Sequence, residues 1–165
     1  MARRGSAGGT PATVALQRSG VAYTSHPYAH DPAASSYGHE AADLLGLDPA
    51  QVFKTLLAEV DGALVVALVP VTGRLDLKAL ASAVGGKRAA MAEPAAAERA
   101  TGYVVGGISP LGQKRALRTV VDESAAQHDT VYVSGGRRGL DLGLSPADLL
   151  ALTAATTAPI AAPSP

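Results

Sequence analysis

The run Val52-Phe53-Lys54-Thr55-Leu56-Leu57 sets one lysine inside an apolar, strand-like stretch, whereas the other cations fall in polar turns or on polar helix faces. An ammonium drawn out of water without a partner costs several kcal/mol. Lys54 therefore calls for a carboxylate, a run of carbonyls or a bound anion. Two glycine-rich segments follow downstream, Gly106-Gly107-Ile108-Ser109-Pro110-Leu111-Gly112-Gln113-Lys114 and Val133-Ser134-Gly135-Gly136-Arg137-Arg138-Gly139-Leu140. Lysine and loops together imply a cleft for an anionic ligand.

Each motif has a plainer reading beside the functional one. Gly107 and Gly112 followed by Lys114 approach the phosphate-binding loop pattern, but Gln113 intervenes and no Ser or Thr follows, which excludes a nucleotide triphosphatase of that type. What remains is a tight turn or a backbone nest whose N–H groups hold an anion or a carbonyl oxygen. Ser134 ends a strand-like run and invites a nucleophile reading, yet Tyr132 occupies the first glycine position of a nucleophile elbow, and a serine there also serves as an ordinary turn residue. His26 and His30 have helical ligand spacing, but Pro27 opposes a helix, and without cysteine or a His-Glu-x-x-His pattern no metal site is expected. His30, beside Asp31, is either solvated or a ligand contact. Tyr28 and Tyr37 bracket the loop before the lysine and either pack or line a small pocket. Arg137-Arg138 and Lys114-Arg115 present four cations after the two loops, as a phosphate contact or as solvated charge.

Composition narrows the class. A chain of 165 residues, 47% hydrophobic but only 4% aromatic, supports one domain with a core of Ala, Val and Leu. The formal net charge of zero, from 14 basic and 14 acidic residues, argues against a sequence-independent DNA binder. The lack of cysteine excludes a disulfide framework and a thiolate nucleophile supplied by the protein. The basic start Met1 to Gly9 has no continuous apolar segment behind it, and the apolar run from Ala63 to Val71 is too short to cross a bilayer, so the reading is a cytoplasmic protein with no membrane partner.

Residues 1–9 and 153–165 read as flexible ends around a domain spanning 10–152. Thr10-Pro11 caps a helix that stops at Gly20. A strand is expected over Val21 to Tyr28, a helix from Glu40 to Leu45 ending at Gly46, and a hairpin of Val52 to Val60 with Ala63 to Val71 across Asp61-Gly62. Asp76 caps a helix, Glu93-Pro94 starts another, and Ser145-Pro146 opens a last one through Leu152. Strands are expected over Gly102 to Gly106, Leu117 to Val121, Thr130 to Ser134 and Leu140 to Leu144. The order indicates an α/β fold, a mixed and largely antiparallel sheet or distorted barrel surrounded by helices.

At Phe53-Lys54-Thr55-Leu56, Thr101 through Lys114, and Val131 through Leu140, the chain resembles the YbaK family of aminoacyl-tRNA deacylases, relatives of the editing domain of prolyl-tRNA synthetases. The likeness runs from about Thr13 to Leu152 and is nearest the stand-alone branch acting on Cys-tRNA(Pro), with a looser activity on Cys-tRNA(Cys). It implies the fold named above, an aminoacyl-tRNA substrate, prolyl-tRNA synthetase as partner, and no cofactor. It places Lys54, Gly106 and Ser134 in catalytic roles. Substrate contacts fall to Tyr28, His30, Tyr37, Thr55, Gly107, Ile108, Ser109, Pro110, Gly135, Gly136, Arg138 and Asp141.

The resemblance further implies that the substrate's own cysteine thiolate attacks its ester carbonyl and expels the terminal ribose hydroxyl, with Lys54 at the terminal phosphate or ribose, backbone N–H groups near Gly106 on the carbonyl oxygen or neighbouring amino-acid groups, and Ser134 with Asp141 positioning the substrate. Holding reacting groups in place removes about 7–11 kcal/mol of barrier, so the protein need supply no nucleophile. Two alternatives stand beside it: an Ala-tRNA(Pro) deacylase using activated water, and a non-catalytic module that binds tRNA or the synthetase.

Overall fold

The computed structural model describes residues 9–34 and 36–164. The N-terminal segment expected to be flexible lies, apart from Gly9, outside the described residues. Thr10 caps helix α1 (Pro11–Ser19) through a reciprocal capping box with Thr13, and Gly20, at φ 75°, ends it. Strand β1 (Thr24–Pro27) is shorter than expected. Helix α2 (Tyr37–Leu45) starts earlier than expected because the Ser36 hydroxyl accepts from the His39 N–H, which makes Ser36 the cap.

Strands β2 (Phe53–Val60) and β3 (Ala63–Pro70) pair over their full lengths, from Phe53 opposite Pro70 to Val60 opposite Ala63. Asp61 and Gly62 both take positive φ, the two-residue turn whose twist matches the strands. The chain continues through β4 (Gly73–Leu75), α3 (Leu77–Ala83), β5 (Ala89–Met91) and α4 (Pro94–Thr101). After a long loop come β6 (Arg118–Asp122), β7 (Val131–Ser134), β8 (Leu140–Leu144), α5 (Pro146–Thr153), β9 (Thr156–Ala158) and β10 (Ala161–Pro163).

A five-stranded sheet has the order β5-β2-β3-β6-β9, antiparallel across β5, β2 and β3 and parallel across β3, β6 and β9. A three-stranded antiparallel sheet, β1-β8-β7, faces it, and β10 pairs with β4. No barrel is closed among the described residues; the mixed-sheet form of the expectation is the one observed. Phe53 and Leu57 of β2, Val66 and Leu68 of β3, and Val131, Val133, Leu142 and Leu144 of the smaller sheet form one buried cluster with Leu16 and Leu149. The opposite parity, Ala58, Val60, Val65, Ala67 and Val69, packs on Leu80 of α3 and Ile160. The large sheet is thus covered on both faces, which explains the nearly continuous apolar run of β3. No described helix is long and apolar enough to cross a membrane.

Two sequence expectations are corrected. Gly102 to Gly106 is a turn, not a strand: Gly102 at φ 82° and Gly106 at φ 91° bend the chain, and the Gly107 N–H donates to the Val104 carbonyl at 2.9 Å. The segment read as a flexible tail carries the end of α5 and strands β9 and β10, with Ile160 fully buried. Its anchor is Asp122, 5% exposed, whose Oδ1 accepts the N–H groups of both Ile160 and Ala161 at 3.0 Å.

Asp122→Ala leaves three N–H groups, those of Ser124, Ile160 and Ala161, without their side-chain acceptor and is expected to cost about 2–3 kcal/mol of stability. Urea unfolding checks the magnitude, and amide exchange at Ile160 and Ala161 should accelerate more than exchange along β3.

Candidate active site

Lys54 sits near the start of β2, opposite Val69, in a half-buried position. Its register places it among apolar neighbours, so burial depresses the pKa of its ammonium. Among the described residues it has neither an ion pair nor a hydrogen-bonded partner, the only ion pair being His30 with Glu40. The partner that the sequence calls for is therefore not another side chain among the described residues. Thr55, next along the strand, has a buried hydroxyl that also lacks a partner.

Both residues line a cavity of about 400 Å³. Its polar wall comes from the smaller sheet, where Ser134 of β7 stands opposite Asp141 of β8 and directly opposed residues share one face. Asp141 is 6% exposed, and burial without a compensating charge pushes its carboxyl up to about 7. Tyr28 adjoins it; burial first, then the Asp141 charge, push the phenol up to about 12, so it stays protonated. Ser134 Oγ accepts the Gly136 N–H at 3.2 Å. No histidine lines the cavity to act as its base.

The first glycine loop forms the rim. Its ends are tied by the Lys114 N–H to the Thr101 carbonyl, at 2.9 Å, and the Arg115 N–H to the Ala100 carbonyl, at 3.1 Å. The Tyr103 hydroxyl pins its middle through the Leu111 carbonyl at 2.5 Å. Gly106, Val105 and Ile108 reach the cavity, and the Gly106 N–H has no protein acceptor among the described residues. A Cβ at Gly106 would stand 2.8 Å from the Tyr37 ring and 2.7 Å from Arg138 Nε, so only glycine allows this approach.

Of the residues singled out from the sequence, Tyr28, Tyr37, Lys54, Thr55, Gly106, Ile108, Ser134 and Asp141 meet at the cavity. The others stand behind it. Gly107 abuts the Arg137–Arg138 backbone, where a Cβ would be 2.8 Å from Arg137 Cα. Ser109 is fully buried, and its Oγ accepts the Leu111 N–H at 3.2 Å; Pro110 is buried beside it. Gly135 pairs with Leu140 and its carbonyl accepts from the Thr10 hydroxyl, while Gly136, at φ 101°, packs under Tyr103.

His30 lies outside the lining, with Nδ1 2.8 Å from Glu40 Oε1 and its ring 5.7 Å from that of Tyr37. Burial works against ionisation of Glu40, but the Asp31 N–H and His30 outweigh it and draw its pKa down. The sequence reading missed Glu40, which ties His30 and Asp31 to α2, and the apolar wall of Leu56, Leu57, Met91, Ala92, Pro94 and Ala97. Nothing in a three-residue strand such as β5 signals that wall; the position of Glu40 on the His30 side of α2 was readable only once the helix start was known. Among the described residues no group of three or more His, Asp or Glu side chains could hold a metal ion.

Residues 30–152 match the aminoacyl-tRNA editing domain, and the chain belongs to that family. It is thus an aminoacyl-tRNA deacylase, acting on the aminoacyl end of tRNA. It is 40% identical over 113 residues to a protein of Enterococcus faecalis (strain ATCC 700802 / V583) named as a candidate Cys-tRNA(Pro)/Cys-tRNA(Cys) deacylase, EbsC, covering 68% of this chain and 69% of that one. A crystal structure described as a candidate trans-editing enzyme for prolyl-tRNA synthetase superposes with a TM-score of 0.79 at 28% identity, over 92% of this chain and 95% of the other. The crystal structure of hypothetical protein APE2540 gives 0.82 at 25% identity, over 93% and 100%.

The raised pKa of Asp141 links stability to pH. The folded carboxyl holds its proton more tightly than the unfolded chain does, so stability falls as pH rises from about 4 to about 7 and levels off above. Asp141→Asn should remove that slope and exceed the native protein by about 4 kcal/mol at pH 8, with near-equal stability at pH 4. Urea titrations at both pH values test it; parallel slopes in the two proteins would show that the carboxyl titrates alike in the folded and unfolded chain.

Proposed function

We propose that the protein is a trans-editing enzyme that clears Cys-tRNA(Pro), with Cys-tRNA(Cys) as a slower substrate, and that the substrate's own thiol performs the attack. The observation that carries this reading is the cavity's composition: an unpaired ammonium, an unpaired carboxyl and an open backbone N–H surround it, while no histidine or cysteine does. Such a site binds and orients: Ser134 has no histidine beside it, and among the described residues its hydroxyl makes no hydrogen bond to Asp141. The named activity of the Enterococcus relative supports the same substrate, and the likeness to the trans-editing structure supports action beside prolyl-tRNA synthetase.

In this mechanism Lys54 receives the terminal phosphate or ribose of the CCA end. The Gly106 N–H faces the ester carbonyl oxygen, Asp141 and Ser134 hold the α-amino group, and the apolar wall from Leu56 to Ala97 surrounds the side chain. The thiol gives up its proton, sulfur bonds to the carbonyl carbon, and the bond to the ribose oxygen breaks as that oxygen takes a proton. The resulting four-membered thiolactone leaves and is opened by water. Proximity and the N–H donor carry the rate: removing one such donor costs about 100- to 1000-fold elsewhere. The zero net charge supports delegation of tRNA discrimination to a partner, which we propose is prolyl-tRNA synthetase.

Deacylation of Cys-tRNA(Pro), Ser-tRNA(Pro) and Ala-tRNA(Pro) in parallel tests this reading. Only the cysteinyl ester should turn over, and Lys54→Ala should lose about 100-fold or more of kcat/KM with weakened binding of the aminoacyl end. Equal hydrolysis of the serine ester, or preference for alanine, would establish a water nucleophile. Binding of all three without turnover would make the chain a non-catalytic module.

A further inference from the structure

Arg138 was expected to contact substrate, yet it is not among the residues lining the cavity. Its guanidinium turns back onto the first glycine loop, where Nε and Nη2 donate to the single carbonyl of Val105 at 3.0 and 2.6 Å. The same group lies over the Tyr37 ring, 4.9 Å from its centroid, and the ring touches the space a Cβ of Gly106 would occupy. A two-donor grip on one carbonyl, backed by an aromatic face, defines the carbonyl's direction better than a lone ammonium would.

The Val105 carbonyl and the Gly106 N–H belong to one peptide plane. In a trans peptide they point in opposite directions, and no described peptide bond is cis. Gripping the carbonyl from the Arg138 side therefore turns the N–H away from Arg138. Gly106 borders the cavity, and its N–H finds no acceptor in the protein. Among the described residues no other hydrogen bond uses either atom of the Val105–Gly106 peptide: the flanking bonds run from the Val105 N–H to Glu98 Oε2 and from the Gly107 N–H to the Val104 carbonyl, and Gly106 is at φ 91°, in the region where glycine has the most freedom. The Gly107 backbone rests on that of Arg137–Arg138, so the arginine and the peptide it grips are set on one frame.

We infer that Arg138 is a positioning residue that aims the Gly106 N–H at the ester carbonyl oxygen by holding the opposite face of the same peptide, with Tyr37 bracing the guanidinium. The inference rests on the reading of Gly106 as the oxygen's donor. It differs from a phosphate contact in which kinetic constant it moves, since a donor that works in the transition state changes kcat and a phosphate contact changes KM and its salt dependence.

The test uses the full chain with Cys-tRNA(Pro), together with ¹⁵N-labelled protein and a non-hydrolysable cysteinyl-adenosine amide as probe. Arg138→Ala should lower kcat by about tenfold or more with KM within about threefold, and the Gly106 amide resonance, shifted by the probe in the native protein, should no longer respond. Arg138→Lys keeps the charge but not the fork and should show the same loss. A tenfold rise in KM at unchanged kcat, with a flatter salt dependence, would overturn the inference in favour of a phosphate contact; so would rescue by lysine, or retention of the amide response in Arg138→Ala. If Gly106 does not respond even in the native protein, its reading as the donor fails and the inference falls with it, whereas a native response that Arg138→Ala retains removes only the role of Arg138.

Discussion

The two glycine loops meet backbone to backbone, and the cavity exists because they do. At Gly107 a single added carbon would lie 2.8–2.9 Å from three main-chain atoms of Arg137 and Arg138, a contact that neither side could yield without moving a whole loop. Either side of that contact, Tyr103 closes on Gly136 and the Thr10 hydroxyl donates to the Gly135 carbonyl. Residues from α1, from the loop after α4 and from the β7–β8 turn are thereby locked together, far apart in sequence. The rim carrying Gly106 consequently has a defined height above the floor carrying Ser134 and Asp141.

That frame allows the site to hold groups the fold would otherwise reject. Lys54 sits in β2 without a partner and Asp141 in β8 likewise, each with its ionised form disfavoured by burial. Such positions cost stability, and the cost is carried by apolar clusters on both faces of the large sheet, where Leu68, Val66, Val69, Val120 and Val121 are fully buried. In the proposed mechanism the protein supplies no nucleophile, and such a site needs this more than most. Its contribution lies in where charges and donors are fixed before substrate arrives, and that fixing depends on rigid strands and crowded loops rather than on a reactive side chain.

Much was legible along the chain. The Asp61-Gly62 hairpin, the capping residues Thr10, Asp76 and Ser145 and the terminating glycines at 20 and 46 all appear where near-neighbour sterics and hydrogen bonds put them. The odd placement of Lys54 pointed at the cavity for the same elementary reason, the cost of an unpaired charge. What could not be read were strands of three residues. β4, β5, β9 and β10 have too little pattern of their own, and each is a strand only because a partner already stands beside it. Gly102 to Gly106 failed in the opposite sense: Tyr103, Val104 and Val105 look like a strand locally, but positive φ at the flanking glycines bends them into a rim.

The sequence by itself determined the residue types that a cavity for an aminoacyl end requires, the turns and helix caps, and the absence of a protein thiol. Tertiary structure alone decided which glycines face the cavity and which serve as packing surfaces, that Arg138 grips Val105 rather than reaching the cavity, and that two strands between Thr156 and Pro163 join the sheets. The division follows the range of the forces involved. Turns and caps are settled by steric contacts and hydrogen bonds within four or five residues, whereas the direction of a peptide N–H or the pairing of a short strand depends on atoms brought near only when distant segments pack.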